Sequence, residues 1–117
     1  MPVSTSPDPA AEGRARADQL LRLLAVDDPA ADELLAGLTD VRELAFLGAG
    51  LTGTARSLGR RLPPAQRAQA STRQLKLAEL RDRGRRDVEG MRTWLRRSGE
   101  EVLFLRSLLA AAERAVS

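Results

Sequence analysis

Between Val88 and Val116 the chain repeats an apolar residue at positions 88, 91, 95, 102, 105, 109, 112 and 116. These are Val88, Met91, Leu95, Val102, Leu105, Leu109, Ala112 and Val116, with Ser98 in the one remaining slot. A seven-residue repeat of this kind lays its members along one stripe of a helix, a seam along which helices wrap. No proline occurs after Pro64, so the spacing predicts a long C-terminal amphipathic helix over about 64–116. Ser98-Gly99-Glu100-Glu101 competes with this, because Ser-x-x-Glu is a capping box that starts helices. The repeat keeps phase from Leu95 to Val102, which favours a continuous helix, with a kink or break at Ser98-Gly99 as the alternative. An unbroken helix of ~50 residues would be ~75 Å long, more than the preceding residues can cover. Either two chains pair along the seam, or the helix breaks near Ser98 and folds back into a bundle.

Upstream, the pattern is also helical. Residues 1–7, rich in Pro, Ser and Thr, read as a disordered tail, and residues 8–117 as a single helical domain. Asp8-Pro9 is a helix start, with a capping aspartate and proline in the first turn, and predicts a helix over 9–26 with Leu20, Leu21, Leu23 and Leu24 on its apolar side. Asp28-Pro29 repeats the signal and predicts a short helix over 30–37, with Gly37 as its stop. Thr39 or Asp40 then caps a third helix. Its apolar and small residues recur at 41, 44, 48, 51, 55, 58 and 62, and Pro63-Pro64 ends it. No segment has a strand period. The fold class is all-α: a helical hairpin or small bundle with two short N-terminal helices and the long C-terminal one.

The third helix contains Gly48, Gly50 and Gly53 in the order G-x-G-x-x-G. A dinucleotide fingerprint needs a strand before the glycines and an acid about twenty residues after them. The preceding VRELAFL carries Arg42 and Glu43 and fits a helix, and the sequence about twenty residues on is QASTRQ. The glycines are better explained by close helix packing, with Ala45, Ala49 and Gly53 recurring every four residues and Gly48 on the apolar stripe.

Composition narrows the chemistry. The 117 residues include no Cys, no His and no Tyr. Thiolate and imidazole catalysis, disulfides and Cys/His zinc sites are excluded. The carboxylate pairs Asp27-Asp28, Asp32-Glu33 and Glu100-Glu101 are neighbours in sequence, so they diverge by about 100° on a helix instead of converging. No catalytic, cofactor-binding or metal-binding residue is assigned, and the chain is not expected to be an enzyme. The longest apolar run, residues 44–55, is too short to span a bilayer. MPVSTSPDPAAEG lacks the pattern of a secretory leader, so a cytoplasmic location is expected.

Charge is divided along the chain. Residues 1–40 carry three bases against eight acids, net −5, and residues 41–117 sixteen bases against eight acids, net +8. Within 56–97 the excess reaches +9. Arginine dominates, in keeping with the codon usage of a GC-rich genome. Candidate nucleic-acid contacts are Arg81, Arg83, Arg85, Arg86, Arg92, Arg96 and Arg97, with Trp94 to stack on a base. The same arginines can instead form helix-surface ion pairs four residues apart: Glu79–Arg83, Asp82–Arg86, Arg85–Glu89, Arg96–Glu100 and Arg97–Glu101.

Two functions follow from these features. The first is a non-enzymatic interaction module, an adaptor, export-chaperone-like or assembly protein. It would bind a partner helix or a second copy, most simply as a dimer, through the seam from Val88 to Val116. The second is a small basic DNA- or RNA-binding protein using the arginines of 56–97.

Overall fold

The structure, a computed structural model, describes residues 8–116. The tail expected over 1–7 lies outside them. Five helices follow in order: α1 Pro9–Ala25, α2 Ala30–Ala36, α3 Val41–Arg61, α4 Pro64–Gly84 and α5 Val88–Val116. Four begin at an aspartate whose carboxylate accepts a backbone N–H two residues on, from Ala10, Ala30, Arg42 and Glu89 at 2.9–3.2 Å. Each bond satisfies a donor that the first turn leaves without a partner. Asp40, not Thr39, caps α3. The fourth aspartate, Asp87, also accepts from Gly90 N at 3.3 Å. α4 starts on Pro63-Pro64 with no side-chain cap.

The long C-terminal helix is present, but it begins at Val88, the first residue of the seven-residue repeat. The segment 64–84 is a separate helix joined to it through Arg85–Asp87. Glycines make this corner tight. A Cβ built on Gly90 would lie 2.7 Å from Gly84 Cα, and one on Gly84 would lie 2.8 Å from Gly90 C. The continuous course favoured through Ser98-Gly99 is realised, and no break occurs there. Both residues are buried within α5, and a Cβ on Gly99 would meet Leu24 Cδ1 at 2.6 Å. Their small size serves the packing of α1 on α5 and does not mark a helix end.

With 29 residues, α5 is about 43 Å long at 1.5 Å per residue. The bundle, 51 × 40 × 24 Å, covers that length. The contacts Gly84–Gly90 and Arg73–Glu101 show α4 running back antiparallel along α5. α3 runs parallel to α5, with Gly48 against Trp94 and Arg61 paired to Glu113. α1 crosses α3 antiparallel, with Gly13 on the Phe46 backbone and Arg16 paired to Glu43.

The core lies among α1, α3 and α5. Leu20, Leu21, Leu44, Leu47, Leu51, Leu62, Leu95, Val102 and Leu105 are shut off from solvent. α4 stands apart from this arrangement. It buries only Ala70, rests mainly on α5, and touches α3 little. No helix among the described residues is long and apolar enough to cross a membrane.

The three glycines of the G-x-G-x-x-G run lie inside continuous helix. Gly48 is buried beneath Trp94, and a Cβ on Gly50 would touch Ala17 Cβ at 3.2 Å. The close approaches thus use Gly48 and Gly50. The expected row of Ala45, Ala49 and Gly53 faces outward instead, with nothing within 4 Å of a Cβ on Gly53.

Candidate partner-binding groove

The seam expected to meet another chain is covered by this one. Met91, Leu95, Ser98, Val102, Leu105 and Leu109 are buried in the bundle. Val88 and Ala112 are half-buried, and Val116 alone stands clear, at 87% exposed. The stripe has the amphipathic pattern expected of it, and its cover comes from α1, α3 and α4.

The arginines of 81–97 do not form one stripe. Arg92 lies against α2, where Nε donates to Leu35 O at 2.9 Å and Nη2 to Ala36 O and Leu38 O at 3.0 Å each. It also pairs with Glu89. Arg92 thereby satisfies carbonyls at and just beyond the end of α2, a helix of 7 residues too short to be stable alone. Arg96 reaches Asp32 on the same short helix. Arg81 and Arg85 share Asp82, at 3.3 and 3.1 Å. Arg83, Arg86 and Arg97 are exposed. Trp94 is only 6% exposed, with its ring over Gly48, so its faces are not offered to a base.

None of the five expected four-residue ion pairs forms among the described residues; the pairs that form join other partners. Two physical causes account for four of the five, and nothing in the structure explains why Glu79 and Arg83 do not pair. The corner at 85–87 takes Asp82 and Arg86, and Arg85 and Glu89, off a common helix. Across helices, Asp32 draws Arg96, and Arg73 draws Glu101.

The Arg73–Glu101 pair had no signal in the pattern of the chain. Arg73 Nε donates to both carboxylate oxygens of Glu101, at 2.8 and 2.9 Å. Its guanidinium carbon lies 4.0 Å from the centroid of the Phe104 ring, a cation–π contact. Glu101 is buried, its side chain 6% exposed, whereas that of Arg73 is 41% exposed. The hydrogen bond to Glu101 holds the Arg73 pKa above its ordinary value, against the opposing effect of desolvation. This pair pins α4 to α5 and takes Glu101 out of the proposed capping box.

Beyond the Pro63-Pro64 corner, α3 and α4 diverge and leave a groove of about 620 Å³ with α5 as its floor. Leu51 and Ala55 line it from α3, Ala70, Leu75, Leu77 and Ala78 from α4, and Trp94 and Ser98 from α5. Leu75 is 67% exposed. Gln74 lies in the same wall, with its side-chain nitrogen buried and without a hydrogen-bond acceptor. The charged residues at its margin are Arg56, Arg60, Arg67 and Arg81, and no carboxylate lines the groove.

The other side of α4 is different. There Arg73, Lys76, Arg83 and Arg97 alternate with Glu79, Glu100 and Glu101, so positive and negative charge are mixed. Among the described residues, no group of three or more acidic side chains is placed to hold a metal ion. The groove offers shape, apolar surface and fixed positive charge.

Fold and groove together define a five-helix bundle with a partly uncovered helix, α4, on its outside. No protein-family model matches the chain, and neither curated proteins nor solved structures give a match.

Proposed function

We propose that this protein is a non-enzymatic interaction module that takes a helix of a partner protein into the groove between α3 and α4. The observation that carries this reading is Leu75, a large apolar side chain left exposed on the wall of an apolar cleft. A single exposed leucine is ordinary; one beside a concave apolar surface extends it. An entering helix would complete the layer that α1, α3 and α5 already form and would give α4 a second neighbour. Helix-in-groove recognition depends on these features, an apolar trough and anchors spaced along it. The groove replaces the seam as the binding surface because the seam's side chains are consumed in the core.

Trp94 is the protein's single tryptophan, so its emission reports occupancy of the groove floor. Helix-forming peptides without tryptophan, selected by display against the folded protein, are expected to shift that emission on binding. They are also expected to lose affinity for Leu75→Glu. Binding that leaves Trp94 emission unchanged and tolerates Leu75→Glu would place the interaction elsewhere and overturn the assignment.

A further inference from the structure

The geometry points to the class of helix that this groove receives: an amphipathic helix whose apolar stripe is flanked by Asp and Glu. This inference rests on the groove reading above. Four arginines border the cleft, Arg56 and Arg60 from α3 and Arg67 and Arg81 from α4, and no acid stands among the lining residues. The mixed charge across α4 makes this a local property and not a consequence of the chain's arginine content.

The four cations are only partly engaged. Arg67 Nη2 donates to Leu62 O at 3.1 Å and to Arg60 O at 3.4 Å, which leaves its charge without a counterion. Arg60 Nε donates to Arg56 O, another neutral acceptor. Arg81 shares one oxygen of Asp82 with Arg85. Arg56 has no ion-pair partner among the described residues. Like charges gathered on the two rims of an apolar cleft repel, and an occupant bearing carboxylates relieves that repulsion while its apolar stripe meets Leu75 and Leu77. Arginine suits this task, since its planar fork holds a carboxylate with two parallel hydrogen bonds.

Length is also decided. From Arg67 to Arg81 the α4 wall rises about 21 Å at 1.5 Å per residue, which accommodates about four turns of a partner helix. The partner thus carries apolar residues at helical spacing over about four turns, with acids on both flanks to meet the two rims. A nucleic-acid strand would supply the negative charge, but it has no apolar stripe for the trough, and the buried Trp94 presents no free face for a base.

The test uses three 21-residue helical peptides that share one Leu/Ala stripe and carry Glu, Gln or Lys on the remaining face. Each is titrated into the full-length protein at 150 mM salt and followed by Trp94 emission, and a single-stranded oligonucleotide is tested beside them. The Glu peptide is expected to bind roughly tenfold more tightly than the Gln peptide, and the Lys peptide more weakly than either. Arg56→Gln with Arg81→Gln should bring the Glu peptide down to the level of the Gln peptide and leave the Gln peptide unchanged. Equal binding of all three peptides overturns the acidic partner while the groove reading stands. Failure of every peptide to bind overturns both. Oligonucleotide binding that needs Arg56 and Arg81 and displaces the Glu peptide overturns the inference in favour of nucleic acid.

Discussion

Trp94 lies on Gly48. A Cβ built at position 48 would come within 2.5 Å of the indole Cζ3 and within 3.2 Å of Leu95 Cδ2. The absence of a side chain on α3 is what lets the largest side chain of α5 enter the interface, and that ring in turn forms part of the groove floor. Two observations that seemed separate along the chain, a glycine inside a helix and a tryptophan beside a seam, are halves of one contact.

Gly48→Ala is therefore expected to destabilise the fold. Alanine is favoured over glycine in a helix by about 1 kcal/mol, but the methyl group overlaps a ring held between two helices, and overpacking of that kind costs about 1–3 kcal/mol. Gly53→Ala, five residues on with open space around it, should stabilise by about 0.5–1 kcal/mol. Urea unfolding followed by Trp94 emission distinguishes the two. A gain in stability at both positions would show that the Gly48–Trp94 contact is not tight.

Arg73 and Glu101 should be unequal when removed one at a time. Arg73→Met leaves a buried carboxylate unpaired and is expected to cost about 2–3 kcal/mol, below the range for a fully buried pair because the guanidinium is part-exposed. Glu101→Gln leaves an arginine that water can reach and should cost about 1 kcal/mol. The double variant should recover much of the loss seen in Arg73→Met, since the neutral amide no longer needs a counterion. Simple addition of the two losses would remove the coupling. The arginine side of the pair adds no pH dependence near neutrality. Its pKa is raised in the folded protein, so its contribution is complete below the unfolded value and is lost only in strong alkali.

Arg92→Lys tests the cap of α2. A lysine keeps the charge but cannot span the carbonyls of Leu35, Ala36 and Leu38 as the guanidinium does. A loss of about 1–3 kcal/mol is expected from the released hydrogen bonds. Amide hydrogen exchange should rise first in Ala30–Ala36, with the centre of α3 still protected. Uniform acceleration through the bundle would mean that Arg92 supports the whole fold and not α2 in particular.

Some features were legible because their causes are local. Asp8, Asp28 and Asp40 announce helix starts through bonds made within their own first turns, and Pro63-Pro64 ends α3 by removing a donor. Asp87 sends the same capping signal as Asp40, likewise without a following proline, and Ser98 sends a competing one. The two serve different ends. Asp87 has backbone N–H groups to accept from at a real corner, whereas Ser98 is buried among close-packed helices.

The sequence by itself determined that the protein is a set of helices, where three of the capped helices begin, and which stripe of α5 must be hidden. These depend on hydrogen bonds between near neighbours and on a period of hydrophobicity, both of which are written along a single segment. Only the tertiary structure decided what hides that stripe. The turn at 85–87 folds α4 back along α5, and α1 and α3 cover the seam that a second chain was expected to fill. Tertiary packing also chose the counterions, sending Arg73 to Glu101 and Arg96 to Asp32 in place of neighbours on the same helix. It left Leu75 and four arginines around an open groove. A periodic pattern states that a face needs a partner; the partner itself is selected by helix crossings and by which small residues permit them, and these join positions tens of residues apart.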